Sequence, residues 1–314
     1  MSFVKKVMRG VDGGRDRQFI SSANHGAGDE IKDPSALAFY HTEAKFKKTK
    51  GQPILFPRAS SLFNACLRMH AIACKSKKTY YRTDYQSPDS LMIFDIGSAV
   101  HYLIQNTPAF FGDRRIGRWV CSACGEFLYF GLPPKNNCPK CGALPAAILY
   151  QEHGFKPIVP FYCSGHVDLF LNIQGGLPRI LDAKTMGEDE FYKLKAPVAK
   201  DEIQLVTYMI LAEKDTTIPM KIDTHNAFVF YVCKRTKRDS LPYKMFRIRR
   251  TPALEESVKS RLSVFRSGME NFPKNIPEPQ KVCLGNQPFD TYTAKSCPCL
   301  SECRNLYEQS RRGK

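Results

Sequence analysis

The sequence predicts an α/β protein with a cysteine-rich insertion near its middle and a second cysteine-rich segment at its C-terminus. Three observations lead there. Two stretches of helical period come first, β-type runs follow with another helical stretch among them, and most of the twelve cysteines in 314 residues fall into spaced groups. An apolar content of 43% is enough for a buried core and excludes pervasive disorder.

Residues 1–52 are polar, rich in Gly and Lys and without sustained period (GVDGGRDRQF, ANHGAGDE), and read as a loosely ordered basic tail. Residues 53–112 hold two helical stretches: SSLFNACLRMHAIA, with Ser60 or Ser61 as N-cap, and the run from Ile93 to Ile104. Residues 113–147 form the first cysteine insertion, and residues 148–272 the rest of the core. In the core, Ile148 to Asn172 shows short apolar runs with β-branched and aromatic residues, Gly175-Gly176 marks a turn, and Arg179 to Lys184 reads as the second arm of a hairpin. Residues 200–213 return to helical period, with Ile203, Val206, Met209 and Ile210 on one face. Strands follow near 225–233 and 244–250, and Pro252 opens a helix to about Met269. Residues 273–314 are Pro-rich at first and end in cysteines.

Lys and Arg number 47 against 30 Asp and Glu, a formal charge of +17, which draws a protein to polyanions by counterion release. The basic runs KFKKTK (45–50), KSKKTYYR (75–82), KRTKR (234–238) and RIRR (247–250) agree in sign, so nucleic acid is the expected partner. No run of about 18 apolar residues is present, and the N-terminus lacks a signal-peptide pattern; no membrane partner and a cytoplasmic location are expected.

An ordered set of polar residues crosses the middle of the chain: His101 in GSAVHYLIQ, Asp168 in GHVD, Asp182 and Lys184 in LDAK, Gln204 and Tyr208 in QLVTY. Side chains two apart on a strand share a face, so Asp182 and Lys184 point together, and Asp168 lies on the neighbouring arm of the hairpin. Two carboxylates can then converge on one cation. Oxygen ligands suit Mg²⁺ or Mn²⁺, and a neutral His101 imidazole moves the preference towards Mn²⁺. Such an ion polarises a phosphodiester and acidifies a bound water, while Lys184 orients that water or offsets developing charge. Gln204 and Tyr208, four apart on a helix, share a face and can fix Lys184 or contact the DNA backbone. Glu152 and His166 lie nearby and are left without a role; His166, two before Asp168, is expected on its face.

In order and spacing these elements resemble the RecB-like branch of the PD-(D/E)XK nuclease superfamily: Gly97 to His101 as G-x-x-x-H, Gly165 to Asp168 as G-x-x-D, Asp182 to Lys184 as D-x-K, and Gln204 to Tyr208 as Q-x-x-x-Y. The resemblance covers roughly residues 55–310, and only the Pro of the superfamily name is missing, since Arg179, Ile180 and Leu181 precede Asp182. It implies a restriction-endonuclease-like core, a mixed central sheet flanked by helices, with His101, Asp168 and Asp182 as metal ligands, joined by the carbonyl of Ala183, and with Lys184 catalytic.

Cys121-x2-Cys124 and Cys138-x2-Cys141 have the knuckle spacing of a zinc ribbon, four thiolates for a tetrahedral Zn²⁺. The second set rests on resemblance. Cys66, in NACLRMH on the early helix, resembles the first cluster cysteine of RecB-like nucleases that carry an iron–sulfur cluster, among them CRISPR-adaptation exonucleases and AddB-type nucleases. In those the C-terminal cysteines run C-x2-C-x5-C. Here Cys297-x5-Cys303 fits the last spacing but position 294 is Ala, which leaves Cys283 or, alternatively, Cys299 as fourth ligand. A [4Fe–4S] cluster so held would join residue 66 to residues near 300; a second zinc is the other reading. Cys74, Cys163 and Cys233 read as buried small apolar residues.

The expected function is a Mg²⁺- or Mn²⁺-dependent deoxyribonuclease, an exonuclease on single-stranded DNA or duplex ends serving recombination, repair or end processing; the substrate preference comes from the resemblance. A chain of this kind suits a bacteriophage or mobile element, which would place it in the host cytoplasm. No G-x-x-x-x-G-K-[ST] loop occurs, so a helicase or recombination protein would be a separate partner. Two alternatives share the sequence: a nucleic-acid-binding scaffold with a nuclease-like fold that does not cut, and an endonuclease.

Overall fold

The computed structural model describes residues 56–76, 78–81, 88–157, 162–234, 242–284 and 288–312. The expected tail 1–52, the run KFKKTK and residues 235–238 of KRTKR lie outside them.

The first helical stretch divides. A 3-10 turn at Ala59–Ser61 is followed by helix α1, Leu67–Lys75, so Cys66 is the residue that caps the helix and is not part of it, and neither Ser60 nor Ser61 caps it. The interruption has a physical cause. Arg261 donates from Nε to the Leu62 carbonyl (2.9 Å) and from Nη2 to the Ala65 carbonyl (3.3 Å), taking acceptors that a continuous helix would have used. The chain just before the turn pairs instead with the core: Ala59 donates its backbone N–H to Ser164 (2.8 Å). Helix α2, Pro88–Asn106, carries His101.

Among the described residues nine strands follow; those expected are more finely divided, and two further strands lie within residues 113–147, expected as the cysteine insertion. The nine are β1 (Arg115–Cys121), β2 (Phe127–Gly131), β3 (Ile148–Gln151), β4 (His153–Phe155), β5 (Gly165–Val167), β6 (Leu169–Leu171), β7 (Arg179–Met186), β8 (Asp223–Cys233) and β9 (Tyr243–Arg249). The main sheet runs β2-β1-β6-β7-β8-β9, with β3 also on β1; β7 and β8 are parallel and the other pairs antiparallel. The sheet is therefore mixed. The hairpin expected around Gly175-Gly176 is β6–β7, with Leu169 opposite Leu181, and Gly175 has φ +70, a conformation that favours glycine.

Between β7 and β8 lie α3 (Glu188–Lys193) and α4 (Ala199–Lys214), the crossover that a parallel pair requires. Helix α5, Pro252–Glu270, has Pro at its start and is capped by Thr251, whose side chain accepts from the Leu254 N–H. Among the described residues three helices follow: α6 (Lys281–Leu284), α7 (Tyr292–Lys295) and the longer α8 (Leu300–Arg312).

Alternation along the strands produces two cores. Ile180, Val229 and Tyr231 pack with Leu205, Val206 and Met209 of α4 and with Val258 and Leu262 of α5. On the opposite face Leu181, Ala183, Phe230 and Val232 pack with Ile104 of α2 and with Trp119 and Ile148 of the ribbon strands. Helices thus cover both faces, an arrangement in which a central strand such as β8 is buried on both sides and reads as an almost unbroken apolar run. Among the described residues no helix is long and apolar enough to cross a membrane.

Candidate active site and cysteine clusters

The polar residues selected from sequence meet where β6 and β7 face the C-terminal half of α2. His101 Nδ1 lies 3.3 Å from Asp168 Oδ1, and Asp168 Oδ2 accepts the backbone N–H of Ala183 at 2.6 Å, across the hairpin. Also on β7, Lys184 Nζ forms an ion pair with the buried Asp182 Oδ2 at 2.6 Å. Asp182 Oδ1 accepts from Gln204 Nε2 at 2.8 Å, and the same Nε2 reaches Tyr208 OH at 3.0 Å.

Two expectations change here. Gln204 and Tyr208 are buried, so neither touches a DNA backbone, and Gln204 fixes Asp182 where Lys184 was the expected partner. His166 does not share a face with Asp168: it is exposed on β5, which pairs with β4 in a separate small sheet, and Asp168 sits at the bend between β5 and β6 where the alternation is broken.

Sequence reading passed over Glu152. It lies between β3 and β4, and Gln105 Nε2 bridges its Oε1 (2.9 Å) to the Asp168 carbonyl (3.0 Å). His101, Glu152 and Asp168 bring three ligand atoms within 4.8 Å of one another. The available signal was an acidic residue inside the apolar run ILYQEHGF, a position that costs free energy unless a partner or ion offsets it.

The site is electrostatically tense. Burial pushes the Asp182 carboxyl up to about 7, with Lys184 opposing and Asp168 adding to the rise. Burial also raises Asp168, but the charge and hydrogen bond of His101, with Lys184 and the Ala183 N–H, outweigh it and leave the group below the usual carboxylate range. Glu152 is raised by burial and by Asp168. Asp168 lifts His101 to about 9 against the effect of burial, and Lys184 is raised because Asp182 and Asp168 outweigh its own burial. Three crowded carboxyl groups beside one imidazole make a site whose charge a divalent cation would balance while displacing the His101 proton.

The first cysteine group forms a compact cluster. Cys121 and Cys141 sulfurs are 3.6 Å apart and those of Cys124 and Cys138 are 3.8 Å apart, with all four within 4.8 Å of one another. Thiolates bound at about 2.3 Å around a tetrahedral ion stand about 3.8 Å apart. The cluster can therefore take a zinc ion or an iron–sulfur centre.

The C-terminal cysteines line a cavity of about 320 Å³, counting the part open to solvent, which also touches Cys66 and Met69. All six pairs among Cys66, Cys283, Cys297 and Cys303 feel one another's charge. Cys299 borders the cavity but is fully buried, packs with Ile72 and Tyr80, and lies 3.9 Å from the Met69 carbonyl. The neighbouring Cys299 brings Cys297 down to about 6, and Cys297 together with burial holds Cys299 far up. Of the remaining cysteines, Cys163 and Cys233 are buried as expected, whereas Cys74 is only half-buried.

No family model and no curated protein matches the chain. Among solved structures, the crystal structure of SSO0001 is similar over 76% of this chain and 87% of its own length, with 13% sequence identity and a TM-score of 0.33. A likeness that loose carries no argument about fold or function. What the chain itself establishes is an α/β protein with a mixed sheet flanked by helices, a four-cysteine cluster and a buried acidic site.

Proposed function

We propose that the protein is a metal-dependent deoxyribonuclease of the RecB-like PD-(D/E)XK type, acting as an exonuclease on single-stranded DNA or duplex ends. The observation that carries this is the convergence of His101, Glu152 and Asp168, with three ligand atoms within 4.8 Å of one another, beside the buried Asp182–Lys184 ion pair. Buried carboxylates crowded together are costly unless a cation offsets their charge, and hard nitrogen and oxygen donors fit Mg²⁺ or Mn²⁺. His101, Asp168 and Asp182 would hold the ion, with Glu152, left without a role in the sequence, as a further donor and the Ala183 carbonyl as an expected one. When bound, the ion supplies Lewis-acid polarisation of a phosphodiester and a more acidic water.

The side chains do the rest. Lys184 holds its proton and places a positive charge beside Asp182, where it can orient the attacking water and offset charge developing on phosphate oxygens. Gln204, itself steadied by Tyr208, fixes the carboxylate plane of Asp182; both are positioning residues. Gln105 does the same for Glu152 and for the backbone at Asp168. The net charge of +17 favours a polyanionic substrate, and the preference for ends follows from the family resemblance.

Zinc is the proposed occupant of the first cysteine cluster, on the strength of its tetrahedral sulfur spacing. For the second set we propose a [4Fe–4S] cluster on Cys66, Cys283, Cys297 and Cys303. Those four cysteines line one pocket, which soft thiolates on several irons would fill, and Cys299 is turned to the Met69 carbonyl.

The test uses anaerobically purified protein, end-labelled single-stranded, blunt and circular DNA, and Mg²⁺ or Mn²⁺. Asp182→Ala and Lys184→Ala are each expected to lower cleavage by about 1000-fold, with linear DNA degraded and circles spared by wild type. Equal cutting by wild type and both variants would overturn the assignment.

A further inference from the structure

We infer that Arg68 is a positioning residue for the iron–sulfur cluster, setting its reduction potential through an N–H···S hydrogen bond to Cys303. The inference rests on the [4Fe–4S] reading and goes beyond it.

Arg68 is on the first turn of α1, two residues after Cys66, and only 3% exposed. Nε donates to Cys303 Sγ at 3.1 Å, Nη1 to the Pro277 carbonyl at 2.9 Å and Nη2 to the Cys303 carbonyl at 3.2 Å. Two carbonyls thus fix the plane of the guanidinium, and the third nitrogen is aimed at a sulfur. Among the described residues no carboxylate pairs with it. A buried guanidinium without a counter-anion is costly, and a cluster ligated by four thiolates, which carries net negative charge, would supply one.

The arginine is not needed merely to tie the two ends of the chain. Glu302 on α8 accepts hydrogen bonds from Ser76 (3.2 Å) and from Tyr80, a second link between the same regions. Arg68 differs from that link in directing a proton and a full positive charge at a ligand sulfur. When an external one-electron reductant adds an electron to the cluster, negative charge grows on its sulfurs. A fixed N–H donor and a cation stabilise that reduced form more than the oxidised one, which raises the potential.

Full-length wild type, Arg68→Met, Arg68→Gln and Arg68→Lys would be purified anaerobically, assayed for iron and sulfide, and titrated with dithionite, reading visible absorbance and electron paramagnetic resonance. At the wild-type midpoint, Arg68→Met and Arg68→Gln should show about a tenfold lower reduced-to-oxidised ratio, a shift of about 59 mV for one electron, with Arg68→Lys between them and wild type. Wild-type potential in a Met or Gln variant that retains its iron would overturn the inference, whatever its melting temperature, because a purely structural arginine changes stability alone. Loss of iron from all three variants would also overturn it, assigning Arg68 to cluster retention. Wild type that holds zinc and no iron in this set would instead defeat the cluster reading on which the inference stands.

Discussion

The two cysteine groups use the same side chain to opposite ends. In the ribbon, Cys121 and Cys141 are 20 residues apart, and each knuckle closes on a glycine of positive φ, Gly125 and Gly142, whose N–H groups bond back to the Cys121 and Cys138 carbonyls. In the C-terminal group, Cys66 meets Cys283, Cys297 and Cys303 only because α8 folds back onto α1. The ribbon staples one excursion from the sheet, packing Cys121 and Cys138 against Trp119 and Ile148. The second group closes the chain on itself, with Arg68–Cys303 and Tyr80–Glu302 as its polar links. A local cluster needs little loop closure, whereas a distant one must offset the ordering of everything between its ends.

Cys66→Ser tests the comparison most severely. It should abolish iron binding while leaving about one zinc per chain, and lower the melting temperature by on the order of 10 °C. Loss of both metals together would mean that the two groups are one cooperative unit. Cys138→Ser is the mirror experiment, expected to remove the zinc, leave iron intact and cost fewer degrees, since the ribbon's core is only one margin of the second hydrophobic cluster. Iron lost with the zinc would again merge the two regions.

Cys299→Ala separates ligand from neighbour. With Cys299 packed between Ile72 and Tyr80, the variant should keep its full iron content and lose about 1 kcal/mol of stability; iron falling to background would place Cys299 in the cluster instead of Cys283.

Alkali gives the smallest effect. Burial first, and then the hydrogen bond to Glu302, hold the Tyr80 phenol up to about 12. An unfolded tyrosine ionises near 10. The contribution of Tyr80 is therefore whole below about pH 10 and is lost as pH rises towards 12. Thermal melting across that window should show a decline in wild type that is shallower in Tyr80→Phe; identical slopes would remove Tyr80 from the clamp.

Much of the site was legible because its elements are short and periodic. Asp182 and Lys184 could be placed together from strand alternation, and the β6–β7 hairpin from Gly175-Gly176, since both depend on neighbours in sequence. Glu152 could be noticed but not assigned a role, because nothing near it reveals that Gln105, 47 residues earlier, holds it beside Asp168. His166 misled for the converse reason: alternation holds within a strand, and the bend at Asp168 moves the chain from one sheet to another. The helix expected from Ser60 failed against Arg261, a residue about 200 positions away.

By itself the sequence determined the α/β class, the ribbon's four thiols and the pairing of Asp182 with Lys184, all of which follow from periods and spacings set by local backbone geometry. Only the tertiary structure decided that Gln204 serves Asp182, that Glu152 joins His101 and Asp168, and that Cys66 faces the C-terminal cysteines with Arg68 between them. Those contacts are made by burial, which brings together side chains remote in sequence and then requires each buried polar atom to find a partner.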